Sequence, residues 1–165
     1  MKLEDINLDN IKIVIFDFDD TLAIHKDKDY LKHRNESEEK RLDYYLNAYQ
    51  NPEIFYKKIE PCVKSKILSN LINELRSKNI KMYCLSGMKF SFHFKAKQNF
   101  IKKHYGDDIE LVSAGTQQLK LDGIKIIQRM NNCSLDETIF IDDYKDTINY
   151  LNDNGIKTID VNDIK

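Results

Sequence analysis

The sequence predicts a three-layer α/β sandwich built on a parallel sheet of five strands, with a small helical insertion after the first strand. Three observations predict it. Ile13-Val14-Ile15-Phe16 is a short run of β-branched and aromatic residues closed by polar ones, the signature of a strand covered on both faces. From Val63 onward, amphipathic helical patterns alternate with further short apolar runs, as right-handed βαβ units require. Carboxylates, a serine and a lysine stand where these segments end, and parallel sheets gather ligands at the carboxyl ends of their strands.

Taken in order, the first strand runs into Asp17, Asp19 and Asp20. Residues two apart on an extended chain point the same way, so Asp17, Asp19 and Thr21 share one side while Phe18 turns toward apolar packing. Residues 23–62 interrupt the alternation. Asn35 or Ser37 can cap a helix carrying Leu42, Tyr45, Leu46 and Tyr49, and Pro52 closes it. The next short segment, residues 53–59, is broken by Pro61, and the aromatics of the insertion read as packing residues.

Residues 63–78 place Ile67, Leu68, Leu71, Ile72 and Leu75 on one helical face. A second strand over 80–85 ends at Ser86-Gly87. A loop then runs into a helix over 95–105, with Gly106 as its C-cap. The third strand spans 109–112, a helix 121–130, and the fourth strand 138–141, ending in Asp142-Asp143. A short helix over 145–154 is closed by Gly155, and the fifth strand spans 156–161. Phe90, Phe92 and Phe94 lie among Lys89, Lys95, Lys97, Lys102 and Lys103, a pattern read as phenylalanines packed inward with lysines in water.

Composition bounds the function. The chain has 165 residues, enough for one domain with a sizeable core. Its 26 Lys+Arg nearly balance 27 Asp+Glu, which argues against a generally basic nucleic-acid-coating protein. No apolar run is long enough to span a membrane, and residues 1–10 do not read as a signal peptide. Cys62, Cys84 and Cys133 are odd in number and far apart, as free thiols of a reducing cytoplasm would be. His25, His33, His93 and His104 lack zinc-site spacing and read as surface or packing residues. An EF-hand is excluded, because Leu22 and Lys28 stand where that loop needs glycine and glutamate.

The residues at the strand exits fit phosphoryl transfer. A carboxylate can attack phosphorus, and a second can protonate the leaving oxygen and then activate water. Carboxylates can also hold Mg²⁺, which offsets their repulsion, while lysine and serine take phosphate oxygens. The ordered set Asp17-Phe18-Asp19-Asp20-Thr21, Ser86, Lys120 and Asp142-Asp143 resembles the haloacid dehalogenase-like superfamily of Mg²⁺-dependent phosphohydrolases. The likeness runs through the whole core and misses only the insertion.

The resemblance implies a Rossmann-like parallel sheet whose central first strand neighbours the fourth. It implies Asp17 as nucleophile, and Asp19 as general acid/base with its backbone carbonyl on the metal. It implies Asp143 as the main further Mg²⁺ ligand, supported by Asp142, with Asp146 a rival. It implies Lys120, with Lys125 as the alternative, as the neutralising cation. Ser86, Gly87 and Thr21 would line the phosphoryl site. An acid at position 19 fits phosphatases and phosphomutases, whose leaving groups need a proton. Residues 23–62 would form a short cap over a partly open site. The expected substrate is a small phosphomonoester, with a nucleotide or nucleic-acid 3′-phosphate and a non-catalytic Mg²⁺- or phosphate-binding module as alternatives. No membrane partner is expected.

Overall fold

A computed structural model describes residues 8–34, 36–48, 59–88 and 91–164. The expectations for Asn35, Tyr49, Pro52, Phe55, Tyr56, Lys89 and Phe90 fall outside these residues. The elements are β1 (Ile13–Asp17), β2 (Ala23–His25), α1 (Lys28–Arg34), α2 (Glu38–Ala48), β3 (Ile59–Pro61), α3 (Ser65–Ser77), β4 (Lys81–Ser86), α4 (Ser91–Tyr105), β5 (Ile109–Ser113), α5 (Gln117–Met130), β6 (Thr138–Asp142), α6 (Lys145–Asp153) and β7 (Lys157–Asp160).

Five strands form one sheet in the order β5-β4-β1-β6-β7, and every pairing within it is parallel. β1 is central and fully buried along its length, which is why its sequence lacks a polar alternation. Its side chains divide between two cores. Val14 and Phe16 join Leu68, Leu71, Ile72 and Leu75 of α3 and Ile101 and Tyr105 of α4. Ile13 and Ile15 join Leu121, Ile124 and Ile127 of α5 and Leu151 of α6. The sheet is thus the middle layer of three.

The register aligns the exits. Asp17 pairs with Leu85, one residue before Ser86, and Phe16 pairs with Ile141, one residue before Asp142. The expected carboxylates and serine therefore leave adjacent strands at one end of the sheet.

The insertion is not helical throughout. β2 and β3 form a separate antiparallel pair, Ala23 opposite Pro61 and His25 opposite Ile59. The Cys62 N–H donates to the Leu22 carbonyl at 3.1 Å, so the insertion leaves and rejoins the core at neighbouring points. Its described helices are α2, the one expected around Leu42 and Leu46, and α1, which was not expected; Leu42 and Leu46 are exposed on α2. The stem escapes notice in the sequence because three-residue strands carry too little alternation to read.

α4 begins at Ser91, earlier than the predicted 95, and its inward stripe is His93, Lys97, Ile101 and Tyr105, spaced one turn apart. Phe94 is exposed instead. The lysine at position 97 faces the core, against the expectation of a solvated charge. Among the described residues, no helix is long and apolar enough to cross a membrane.

Candidate active site

The site lies at the carboxyl ends of β1, β4 and β6. Immediately after β1 the chain reverses. Leu22 and Ala23 N–H groups both donate to the Phe18 carbonyl, at 3.0 and 2.9 Å, and Asp20 N–H donates to the Ala23 carbonyl at 2.7 Å. Asp20 adopts φ 63°, a left-handed conformation that a short Asp side chain tolerates better than most. The reversal keeps Asp17 and Asp19 near the sheet end and drives Phe18 into the core, where it is fully buried against Phe100.

Two lysines divide the carboxylates. Lys120 lies in the first turns of α5, whose N-cap Thr116 accepts the Leu119 N–H through its side chain. Its Nζ donates to Asp17 Oδ1 and to Asp142 Oδ2, both at 2.7 Å. Asp142 is 1% exposed and also accepts the Tyr144 N–H at 2.9 Å. Asp143 accepts from the Thr21 hydroxyl at 3.2 Å. Carboxylate oxygens of Asp17, Asp142 and Asp143 all lie within 4.8 Å of one another, a set of hard donors that suits a divalent cation such as Mg²⁺. Asp146 stands apart, exposed and accepting from the Tyr144 hydroxyl.

The second lysine is Lys97. Its Nζ donates to Asp19 Oδ2 at 2.6 Å, to Ser86 Oγ at 2.7 Å and to the Gly87 carbonyl at 3.3 Å. Ser86 is itself fully buried. The other Asp19 oxygen meets His25 Nε2, from the insertion stem, at 3.1 Å. Gly87 answers a steric demand: a Cβ there would stand 3.1 Å from the Gly115 Cα, so the loops leaving β4 and β5 touch backbone to backbone.

The electrostatics follow from these contacts. Burial pushes the Asp17 carboxyl up to about 7; Lys120 opposes this, and the Asp142 and Asp19 charges add to it. Burial and the Asp142 charge raise Asp143 to about 6, with the Thr21 hydrogen bond opposing. Burial also acts upward on Asp19, but Lys97 and His25 outweigh it and hold that carboxyl well below the usual range. Four carboxylates share two ammoniums, so the site carries excess acid. The raised values of Asp17 and Asp143 show where a proton, or a metal ion in its place, would be held.

Of the residues expected from the sequence, Asp17, Thr21, Lys120, Asp142 and Asp143 converge in one cluster, and Asp19 and Ser86 in an adjoining one. Lys120, the favoured of the two candidate lysines, is the one whose ammonium reaches Asp17. His25 and Lys97 were missed. The Lys97 signal was present, since it falls on the stripe of Ile101 and Tyr105; that of His25 was not, because its approach depends on the turn and the stem.

The sequence matches no protein-family model and no curated protein. Solved structures do match. One is a haloacid dehalogenase-like hydrolase from Bacteroides fragilis, with TM-score 0.61 and 14% identity over 90% of this chain and 86% of that one. The fold is that of the haloacid dehalogenase-like hydrolases. A haloacid dehalogenase family enzyme from Bacteroides thetaiotaomicron, solved with magnesium and inorganic phosphate, aligns with TM-score 0.60 and 17% identity over 91% and 93% of the two chains. A haloacid dehalogenase-like hydrolase from Xanthomonas campestris aligns with TM-score 0.57 and 13% identity over 92% and 81%. The sheet order has β1 at its centre, as the resemblance implied, and it brings the β1 and β6 acids side by side.

Proposed function

We propose that this protein is a Mg²⁺-dependent phosphatase that hydrolyses a small phosphomonoester through an aspartyl-phosphate on Asp17. The observation that carries the reading is the Lys120 ammonium bridging Asp17 and Asp142, with Asp143 completing a three-carboxylate cluster. The magnesium and inorganic phosphate bound by the Bacteroides thetaiotaomicron enzyme support it.

Asp17 is the nucleophile. Lys120 holds one of its oxygens and keeps the carboxylate oriented. Asp17, Asp142 and Asp143, with the Asp19 backbone carbonyl, would hold Mg²⁺. When bound, the metal supplies charge that draws phosphate and carboxylate together. Thr21, Ser86 and the Gly87 backbone line the phosphoryl site. Asp19 is the acid/base. Lys97 and His25 leave it ionised in the resting site, ready to take a proton from water attacking the aspartyl-phosphate. A phosphate dianion arriving beside Lys97 competes for that ammonium and raises the affinity of Asp19 for the proton needed by the leaving oxygen. The chain forms one domain, with residues 23–62 as a small cap. The inward turn of Lys97 removes one lysine from the surface a nucleic-acid substrate would use, which favours a small substrate.

The test is hydrolysis of an aryl phosphate with and without Mg²⁺, followed by a phosphomonoester panel. Mg²⁺-dependent turnover and a stable adduct with beryllium fluoride, a mimic of the aspartyl-phosphate, are expected. A folded protein that binds Mg²⁺ yet shows neither would instead be a binding module.

The raised carboxyls set a second expectation. A carboxyl whose folded pKa exceeds its unfolded value stabilises the fold at low pH and loses that contribution as pH climbs through the folded value. For Asp17 and Asp143 the window runs from about 4 to about 7. Asp19 has the opposite sign, but its contribution is lost only below the ordinary carboxyl range, and His93, lowered to about 4 by burial, opposes the two raised carboxyls below about 6.5 without matching their sum. The metal-free protein should therefore melt lower at about pH 8 than at about pH 5, and Mg²⁺ should raise the Tm more at the higher pH. A larger metal-induced rise at about pH 5 would contradict the assignment of these carboxylates as ligands.

A further inference from the structure

Lys97 is placed where a lysine is costly. It is 4% exposed, on the inward stripe of α4, with its Nζ 4.6 Å from the centroid of the buried Phe18 ring. A lysine so buried needs acceptors for its three donors, and Lys97 has three: Asp19 Oδ2, Ser86 Oγ and the Gly87 carbonyl. These acceptors come from two strand exits. Asp19 follows β1, while Ser86 and Gly87 end β4, and the direct Ser86–Asp19 contact is long at 3.4 Å. The ammonium is the tighter link between them. His25 Nε2 meets the opposite oxygen of Asp19 at 3.1 Å, so the carboxylate is gripped from both sides. Lys120 serves a separate group, Asp17 and Asp142.

We infer that Lys97 is a positioning residue that seats the acid/base Asp19 and the phosphoryl-binding Ser86 in one fixed arrangement, leaving Lys120 to the nucleophile and the metal ligands. The inference rests on the phosphatase reading above. A charged, threefold hydrogen bond fixes direction as well as distance, and an acid/base misplaced by about 1 Å loses much of its effect.

The experiment is a double-mutant cycle on the full chain in Mg²⁺: wild type, Lys97→Met, Asp19→Asn and the double variant. The substrate is p-nitrophenyl phosphate, whose leaving group needs little protonation, so Asp19→Asn retains a measurable rate. Affinity for inorganic phosphate is the second readout. Lys97→Met should lower kcat about a hundredfold beside Asp19, the low end of what a positioned base supplies when water attacks the aspartyl-phosphate. On the Asp19→Asn background the same change should cost less than about threefold in kcat, because its effect on kcat runs through the missing carboxylate, whereas the part that runs through Ser86 should persist on both backgrounds. Phosphate affinity should also fall, through Ser86. Equal losses of kcat on both backgrounds, or wild-type kinetics for Lys97→Met, overturn the proposal. Thermal melts check each fold; if Lys97→Met does not fold, Lys97→Gln replaces it, and if neither folds the lysine is structural and the proposal fails. Absence of turnover in the wild type, or turnover surviving Asp17→Asn, would count against the phosphatase reading itself, a result distinct from an additive cycle in an active enzyme.

Discussion

Asp17→Asn is expected to remove Mg²⁺-dependent phosphomonoester hydrolysis, by at least about a thousandfold, while raising the melting temperature of the metal-free protein at about pH 8. The loss follows from chemistry. An amide oxygen cannot form the acyl-phosphate, and the remaining groups only bind and polarise. The gain follows from burial. Asp17 is 7% exposed, close to Asp142 and Asp143, and its carboxyl is pushed up to about 7. Above that pH the fold must hold a charge it disfavours, and asparagine removes the charge with little change of shape. Lys120 keeps its second partner, Asp142. About 1 kcal/mol moves the Tm of a domain this size by about 2–4 °C, so a rise of a few degrees is expected. The rise should shrink as pH falls from about 7 toward about 4, as the folded Asp17 takes up its proton. Calorimetry across that range with an aryl-phosphate assay checks both halves. A variant that loses activity and also melts lower at about pH 8 would mean that the carboxylate stabilises the fold.

That opposition between activity and stability was legible before any coordinates. The run Ile13–Phe16 reads as a strand covered on both faces, and three acids at its mouth conflict with an apolar surrounding unless they serve a ligand. The strand exits were legible for the same reason: a parallel sheet forces each strand to end on the same side, so Ser86 and Asp142-Asp143 had to meet Asp17. Lys97 was misread because an amphipathic reading assigns every lysine to water, and that rule fails where the inward stripe of a helix passes a carboxylate. His25 was out of reach for a different reason. Its contact with Asp19 depends on the local turn at Asp20 and on the β2–β3 pairing across residues 23–61, and the second of these is set by tertiary contacts. Local patterns therefore located the clustered carboxylates, while the lysine and the histidine that meet Asp19 emerged only with the packing.

Lys120→Met is expected to have the largest effect on stability. The ammonium sits 2.7 Å from both Asp17 Oδ1 and Asp142 Oδ2, and burial, which alone would lower its pKa, is outweighed by those two carboxylates. Replacing it with a neutral chain of similar length leaves two buried acids facing each other without their cation. Breaking a buried ion pair from one side costs about 3–5 kcal/mol, or a fall in Tm on the order of 10 °C for a domain of this size. The direction with pH can be worked out. Without Lys120 the Asp17 carboxyl moves further up, so the loss should be greatest at about pH 8 and should diminish toward about pH 5 as Asp17 takes up a proton. Mg²⁺ should recover part of it, because a divalent ion held by Asp17, Asp142 and Asp143 supplies the missing charge. Adding Asp17→Asn to Lys120→Met should also recover part, since it removes one of the two stranded charges. Turnover should not return in either case, because the cation that orients the nucleophile is absent; a loss of about a hundredfold or more is expected. A pH-independent fall in Tm, indifferent to Mg²⁺ and to Asp17→Asn, would show instead that Lys120 stabilises α5 through its aliphatic stem over Phe140, 5.3 Å from its Nζ, and not through the charges it bridges.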